Sequence, residues 1–212
     1  SIIASANAYV YPIYTSSVSY DHLMCMQNAT VNGLFDSPMY FWATNDKGNV
    51  VKYLHSNCLN ANKAGRSEAF SLIIEPCIVC GNVEGQLRSI YNAVKGLPKI
   101  PSYIISVNKN KWHSLSKWNQ DKYNEIIELA NTIFGMYPSY VITSNLDWLD
   151  IFYPDFVPAH FLKLIPNYGV SNVNRFGPWT YEKSTGYQYH PKKFVHSTCR
   201  NVPFEQMVFF YN

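Results

Sequence analysis

The amino-acid sequence predicts an α/β fold, namely a single-domain, TIM-like barrel of the (β/α)5(β)3 kind that spans residues 1–212. Two observations lead to this prediction. Short strand-like runs alternate with amphipathic helical segments through the earlier part of the chain, and such alternation is typical of a parallel sheet. Beyond residue 160 the helical periodicity fades, and short runs rich in Tyr and Phe between Gly and Pro turns indicate a β-rich end.

Short apolar runs, separated by turn residues, indicate the strands of the alternating part. These runs are residues 9–14, 38–43, 71–75, 102–107, 139–143 and 161–165. In a barrel of parallel strands, ligands bind at the C-terminal ends of the strands. Glu75 ends the third run, so we expect its carboxyl group to face the mouth of the barrel.

Two amphipathic helices are indicated by apolar residues that recur at helical spacing. The first covers residues 84–95 and stops before Gly96 and Pro98, which cannot continue a helix well. The second covers residues 116–134, begins at the N-cap residue Ser116 and ends at Gly135. These two helices are expected to pack on the outside of the sheet.

The composition excludes several classes of protein. Hydrophobic residues make up 47% of the chain and charged residues only 15%, which favours an ordered core over disorder. The net charge of +3 is spread without a basic stripe, so no nucleic-acid partner is expected. No apolar stretch approaches the roughly 18 residues of a membrane span. The 17 Tyr residues offer flat apolar faces with polar tips, which suit contacts with a sugar or with a protein.

Five cysteines indicate disulfide chemistry rather than a metal site. Cys77 and Cys80 form a CxxC element, but a zinc site needs about four ligands and no second pair exists. The six histidines are scattered, so no metal and no cofactor is expected. A redox-active CxxC is less favoured than a structural disulfide in a secreted protein. Cys25, Cys58 and Cys199 leave one thiol over whichever two pair, so a disulfide-linked dimer is a further possibility.

Two local features agree with a secretory route. Residues 1–8 are small and mildly apolar, like the residues that follow a cleaved signal peptide. Asn28, Ala29 and Thr30 form a glycosylation sequon, so Asn28 is a candidate site of an N-linked glycan. We therefore expect a secreted glycoprotein, located outside the cell or in the lumen of the secretory pathway.

Several segments together resemble a known family. They are AYVYPIY at residues 8–14, PCIVCGNVEGQLRSIYNAV at 76–94, KWNQDKYNEIIELAN at 117–131, YVITSNLDWLDIF at 140–152, NRFGPW at 174–179, YQY at 187–189 and FVHSTCRNVPFEQMVFFY at 194–211. In order and spacing the chain is similar to the lysozyme-like glycoside hydrolases of family 25, especially the secreted forms of nematodes and amoebae. The resemblance implies a muramidase-type barrel that acts on polysaccharide.

The acidic residues of that family are missing from the aligned positions. The Asp of the opening strand falls on Pro12, the Asp-x-Glu of the fourth strand falls on Ile105 and Val107, and a further Asp falls near Gly169. Glycoside hydrolysis needs two carboxyl groups that flank the scissile bond. A general acid alone contributes about 10²–10⁴-fold to the rate. The sequence therefore predicts a catalytically inactive pseudoenzyme that retains a glycan-binding or partner-binding face.

The candidate ligand contacts lie near predicted strand ends. Aromatic rings that can stack on sugars are expected from Tyr11, Tyr103, Tyr168, Trp179 and Tyr189, and polar contacts are expected from Glu75 and Asn145.

Two other functions remain open at this point. An active muramidase could use relocated carboxyl groups, with Glu75 and Asp147 as the candidates. Retaining chemistry would place the two groups about 5 Å apart, and inverting chemistry about 6.5–9.5 Å apart. A structural or interaction protein could instead have its mouth filled by Pro12, Ile105 and Val107. An open mouth lined by polar and aromatic side chains would favour glycan binding over the filled alternative.

Overall fold

Eight strands form one sheet in the computed structural model, which describes residues 8–29, 38–66, 69–168, 176–179 and 186–210. The strands are β1 (Ala8–Tyr14), β2 (Met39–Trp42), β3 (Phe70–Ile74), β4 (Ser102–Ser106), β5 (Tyr140–Thr143), β6 (Lys163–Pro166), β7 (Tyr187–Phe194) and β8 (Phe204–Phe210). The α-helices within the described ranges are α1 (Tyr20–Ala29), α2 (Leu54–Lys63), α3 (Val83–Val94), α4 (Lys117–Phe134) and α5 (Asn145–Ile151). None of these helices is both long and apolar enough to cross a membrane.

The sheet curls into a nearly closed barrel. Strands β1 to β6 run parallel in sequence order, β8 pairs antiparallel with β1, and β7 pairs antiparallel with β8. The last gap, between β6 and β7, is bridged where Asn167 pairs with Tyr189 and the backbone N–H of Tyr168 donates to the carbonyl oxygen of Tyr189 at 3.0 Å. The predicted single-domain α/β barrel is thereby confirmed.

Helices α1, α2 and α5 were not located individually by the sequence pattern, because local capping and packing define them. The Oγ of Ser19 accepts from the backbone N–H of His22 at 3.1 Å and starts α1. The Oγ of Ser144 accepts from the backbone N–H of Asp147 at 3.1 Å and starts α5. Helix α2 has no side-chain cap, and its buried face, which includes Leu54 and Cys58, packs into the core.

Side chains of the sheet divide between two separate cores. Successive residues of a strand point to opposite faces, so one set packs against the helices and the other fills the barrel. The outer core joins strand residues such as Phe41, Leu72 and Ile105 to the buried faces of the helices. The inner core lies inside the barrel and consists of Tyr11, Ile13, Tyr40, Ile73, Ile104, Ile142, Ile165, Tyr189 and Met207.

This division corrects the alignment of the missing acids. Ile105 and Val107 pack in the outer core and are each 1% exposed, and Pro12 lies on the outer face of β1 in a cavity shared with Leu23 of α1. The prediction that these three residues occupy or fill the barrel interior is wrong. A shift of one residue along a strand moves a side chain to the opposite face of the sheet. Gly169 lies outside the described residues.

Two disulfides are present among the described residues. Cys77 pairs with Cys80, as predicted, and Cys25 of α1 pairs with Cys199 in the turn between β7 and β8. Cys58 stays free but is completely buried within α2, and burial raises the pKa of its thiol to about 12. An unexposed, protonated thiol is a poor partner for disulfide exchange. The expectation of a dimer linked through the unpaired cysteine is therefore corrected.

The two disulfides should contribute unequally to stability. The Cys25–Cys199 bridge has a sequence separation of 174 residues, whereas Cys77–Cys80 has a separation of 3. In the chain-entropy account a longer loop gives the larger stabilisation, so Cys25→Ser/Cys199→Ser should lower the free energy of unfolding by about 2–4 kcal/mol. The double variant Cys77→Ser/Cys80→Ser should lower the free energy of unfolding by clearly less. Urea denaturation of both double variants measures the difference, and a larger loss from the short loop would contradict the expectation.

Candidate functional site

A pocket of about 240 Å³, lined by both polar and apolar side chains, lies at the C-terminal ends of the parallel strands and is here termed the mouth pocket. Its lining is Trp42, Glu75, Ser106, Val107, Asn108, Ile142, Asp147, Asn167, Tyr189 and Pro191. Val107 borders this pocket from the strand end while its side chain belongs to the outer core. This is the edge at which parallel α/β barrels carry their ligand sites.

Strand periodicity explains why polar side chains meet here. Ile73, Ile104 and Ile165 belong to the inner core, and the residues two positions further along each strand lie on the same face. Those residues are Glu75, Ser106 and Asn167, all of which line the mouth pocket. An apolar residue followed two positions later by a polar one at a strand end is the sequence signal for this arrangement.

Glu75 is held in place by two hydrogen bonds. Its Oε2 accepts from the Oγ of Ser106 at 2.7 Å, and its backbone N–H donates to the Oγ1 of Thr44 at 3.0 Å. Burial raises the pKa of Glu75; the hydrogen bond from Ser106 and the charge of Lys111 oppose that rise, and the charge of Asp147 adds to it. Burial therefore disfavours the charged form of Glu75 relative to a carboxylate in water.

Tyr189 and Glu205 form the opposite side of the mouth. The hydroxyl group of Tyr189 donates to Oε2 of Glu205, and its ring stacks on Trp42 with the centroids 5.8 Å apart. Burial raises the pKa of Glu205, while Tyr189 and Lys193 oppose the shift, the Lys193 Nζ lying 3.6 Å from Oε1. The pKa of Tyr189 is raised by burial first and then by the charges of Glu205 and Glu75. Tyr189 therefore lies close to both carboxyl groups.

Sequence reasoning missed Trp42 and Glu205. Glu205 lies at the start of β8 rather than at a strand end, but β8 is antiparallel to β1, so its beginning reaches the mouth. A second depression of about 330 Å³, here termed the outer depression, lies beyond Trp42. Its lining is Thr15, Trp42, Thr44, Asn45, Asp46, Val51, Tyr53, Lys193 and Glu205. Trp42 thus separates two adjoining spaces.

Asp147 lines the mouth pocket but both of its carboxylate oxygens have partners. Oδ2 accepts from the Oγ of Ser144 at 3.0 Å, and Oδ1 accepts from the backbone N–H of Lys109 at 3.3 Å. With its own backbone N–H bonded to Ser144, the residue secures the first turn of α5. This structural role leaves Asp147 poorly placed to act as a relocated catalytic acid.

Two predicted ligand residues lie in the outer core instead. Tyr103 is completely buried, donates its hydroxyl hydrogen to the carbonyl oxygen of Met136 at 2.8 Å and packs on Phe134. Trp179 is also buried and donates Nε1–H to the carbonyl oxygen of Leu162 at 2.9 Å. The prediction that these two rings contact a ligand is wrong, because both belong to the helix-facing core.

The remaining predicted ligand residues are divided between the mouth and its surroundings. Tyr11 belongs to the inner core and packs against Tyr187, which begins β7 at the end of the barrel away from the mouth. Asn145 is the half-buried first residue of α5 and does not line the mouth pocket. Tyr168 stacks on His190 beside the pocket, with the ring centroids 5.6 Å apart. Glu75 and Tyr189 are the predicted residues that the mouth pocket brings together.

The predicted glycosylation sequon is only partly within the described residues. Asn28 is exposed near the end of α1, and Thr30, the third residue of its sequon, lies outside the described residues. Across the part of the chain that the structure describes, no group of three or more His, Cys, Asp or Glu side chains is placed to hold a metal ion.

The fold is that of solved muramidase structures. A muramidase from Trichobolus zukalii superposes with a TM-score of 0.58 over 96% of this chain and 93% of that chain, at 13% sequence identity. A muramidase from Acremonium alcalophilum superposes with a TM-score of 0.62 over 97% of this chain and 94% of that chain, at 11% identity. No protein-family model and no curated protein matches the sequence. At these identities the likeness shows a lysozyme-like barrel fold.

Stability should depend on pH through Glu75. Its raised pKa means that the folded state keeps a proton that the unfolded chain releases at lower pH. The associated stabilisation is fully present below the unfolded pKa of about 4.3 and is lost as the pH rises through the folded pKa. Glu75→Gln keeps an acceptor for the hydroxyl group of Ser106 but has no carboxyl group to titrate, so it does not lose stability in this way as the pH rises. The free energy of unfolding of Glu75→Gln relative to wild type should therefore increase with pH.

Urea unfolding of both proteins between pH 4 and pH 8 measures the effect. Glu84→Gln is the control, because Glu84 forms an exposed ion pair with Arg88 at 2.7 Å on the surface of α3. A constant difference between wild type and Glu75→Gln across this range would contradict the assignment of a raised pKa to Glu75.

Proposed function

We propose that this protein binds a glycan in the mouth pocket without hydrolysing it by paired-carboxylate chemistry. The observation that carries the proposal is the composition of the pocket. Trp42 and Tyr189 form an aromatic wall of the pocket, and hydrogen-bonding groups come from Ser106, the last residue of β4, and from Asn108 shortly after it. A lysozyme-like barrel fold supports a glycan as the ligand class.

The aromatic wall is suited to a pyranose ring. Trp42 is half-buried and its indole borders both the mouth pocket and the outer depression, which have volumes of about 240 and 330 Å³. Ligand pockets are mostly apolar with a few placed polar groups and occupy about 300–1,000 Å³. The two adjoining spaces together fall within that range, so an oligosaccharide rather than a single sugar is the better fit.

The polar side of the pocket complements hydroxyl groups. The carboxyl group of Glu75 accepts hydrogen bonds in either protonation state, and the amide groups of Asn108 and Asn167 can both donate and accept. Sugar hydroxyls likewise donate and accept. Polar groups whose geometry is fixed before binding, as Glu75 is by Ser106 and Thr44, orient a ligand at low entropic cost.

Hydrolysis is disfavoured by the state of the neighbouring carboxyl groups. Both carboxylate oxygens of Asp147 accept hydrogen bonds, from the Oγ of Ser144 and the backbone N–H of Lys109, and Glu205 accepts from Tyr189 and lies beside Lys193. Glycosidases need one carboxyl to protonate the leaving oxygen and a second to act on the opposite face of the sugar. The mouth pocket supplies a candidate acid in Glu75 but no second carboxylate without a structural partner among its lining residues.

The second candidate function is hydrolysis with Glu75 as the general acid. It is favoured by the raised pKa of Glu75, which is the property expected of such an acid. Glu205 is a better second group than Asp147, because it lies across the mouth on β8 and its hydrogen bond to Tyr189 can rearrange when a ligand enters. An interaction protein with a filled mouth is the weakest alternative, because a pocket of about 240 Å³ that includes hydrogen-bonding side chains remains at the mouth.

The proposal includes secretion and an N-linked glycan at Asn28. The two disulfides support an oxidising compartment, where such bonds form and persist. The exposed position of Asn28 supports access for a glycosyltransferase.

Binding to insoluble bacterial peptidoglycan and to chitin tests the main proposal. Wild type should be retained by at least one of these polymers, and Trp42→Ala should weaken retention about tenfold or more through the lost stacking surface. Tyr103→Phe is the matched aromatic control, because it removes a hydroxyl group from the outer core and should leave retention unchanged. Equal retention of wild type and Trp42→Ala would contradict the assignment of the mouth pocket.

A turbidity-clearing assay on bacterial cell walls separates binding from hydrolysis. The main proposal expects no clearing by wild type. Clearing that is abolished by both Glu75→Gln and Glu205→Gln, but kept by the surface variant Glu128→Gln, would replace it with the second candidate, because Glu128 is exposed on α4 and its carboxylate bonds only to Tyr137 among the described residues.

A further inference from the structure

One tryptophan lies on the surface without being part of the mouth pocket. Of the five tryptophans, Trp112, Trp148 and Trp179 are buried and Trp42 lines the mouth pocket. Trp118, in the first turn of α4, is 47% exposed. Full burial of a large apolar side chain stabilises a folded protein by about 1.5–3 kcal/mol. Because the ring of Trp118 is half exposed, the folded state lacks a sizeable part of this stabilisation.

The ring of Trp118 has neighbours that orient it without covering it. The imidazole ring of His113 meets it edge to face, with the centroids 5.0 Å apart. The Nζ of Lys122 lies 5.4 Å from the ring centroid and forms an ion pair with Glu125 at 2.5 Å. A cation over an indole is attracted to the ring, which limits its rotation. Trp118 is therefore an exposed aromatic surface with a preferred orientation.

Trp118 forms one wall of a groove of about 380 Å³ between α3 and α4. The other lining residues are Ile78, Gly81, Asn82, Val83, Glu84, Lys122, Glu125, Ile126 and Leu129. The floor of the groove is apolar. Its rim carries the amide of Asn82, the ammonium group of Lys122 and the carboxylates of Glu84 and Glu125. The groove shares no lining residue with the mouth pocket or with the outer depression.

Local bonding fixes the shape of the groove. Asn82 has a positive φ of 49°, and its Oδ1 accepts from the backbone N–H of Gly85 at 3.1 Å, which sets the start of α3. Immediately before it, the Cys77–Cys80 disulfide closes the turn, and the carbonyl oxygen of Gly81 accepts from the Nε2 of Gln86 at 2.8 Å. The rim is thus anchored before any ligand arrives.

We propose that this groove is a second saccharide-binding site on the outer wall of the barrel, with Trp118 as its stacking platform. A pyranose ring has an apolar face of C–H groups and an edge of hydroxyls, which matches an indole wall beside donors and acceptors. The exposed apolar residues Val79 and Leu115 do not line the groove. The inference relies on the proposed function only for the ligand class.

Calorimetric titration with the soluble tetramer of N-acetylglucosamine tests the second site. Wild type should bind two molecules per chain, whereas Trp118→Ala and Trp42→Ala should each bind one. Leu115→Ala is the control, because Leu115 is 44% exposed on the loop before α4 but lies outside the groove. Its stoichiometry should remain two.

Tryptophan fluorescence gives an independent measurement. In Trp42→Phe the remaining tryptophans other than Trp118 are buried, so a saturable change in emission on adding the tetramer should come from Trp118. Circular dichroism of each variant verifies that it is folded. Trp118 is on the surface, so its replacement should not unfold the chain.

Each failure points to a different site. An unchanged stoichiometry in Trp118→Ala, or unchanged emission in Trp42→Phe, overturns the groove site and leaves the mouth pocket standing. Loss of one site in Trp118→Ala with no effect of Trp42→Ala keeps the groove and overturns the proposed function of the mouth. Absence of any binding of the tetramer to wild type overturns the groove site, and a protein partner captured through Trp118 would then take the place of the saccharide. The mouth pocket is overturned only if wild type is also not retained by peptidoglycan or chitin.

Discussion

The alternation of side chains across one closed sheet is the constraint on which the rest of this structure depends. Each strand sends one set of residues to the helices and the other into the barrel, so two cores of different kinds share a single backbone layer. In the outer core, one set of strand side chains packs against the buried faces of the helices. The inner core consists of Tyr, Ile and Met side chains, and polar residues line the pocket above it at the C-terminal strand ends. The position of Glu75, two residues beyond Ile73, follows from that geometry.

The inner core also sets the electrostatics of the mouth. Apolar side chains beneath the pocket keep water from one side of each carboxyl group, and desolvation is the first cause of the raised pKa of both Glu75 and Glu205. Tyr189 contributes to both effects, because it belongs to the inner core and at the same time donates to Glu205. A site that disfavours the charged form of its carboxyl groups is compatible with a neutral, hydroxyl-rich ligand.

The fold was predictable from sequence to a greater extent than the site. Periodicity located β1 to β6 and helices α3 and α4 within about two residues, because those segments have strong, regular patterns. Alignment did not predict which residues of each strand point into the barrel. It assigned Ile105 to the interior, whereas the structure places Ile104 in the inner core and Ile105 in the outer core. Glu205 was missed because its position at the mouth depends on an antiparallel pairing between the two ends of the chain. Tyr103 and Trp179 were misassigned because an amphipathic aromatic serves equally well in a core, where a backbone carbonyl satisfies its polar atom.

The Cys25–Cys199 disulfide makes most of the polypeptide a covalent ring. It joins the first helix to the turn that precedes the last strand, across 174 residues. A single cut in any loop between these two cysteines leaves both fragments attached to each other, with the barrel sheet still able to hold them in register. For a chain exposed to proteases, this topology means that one nick in a surface loop does not release a piece of the barrel. Loss of the structure then requires a second cut or reduction of the bridge.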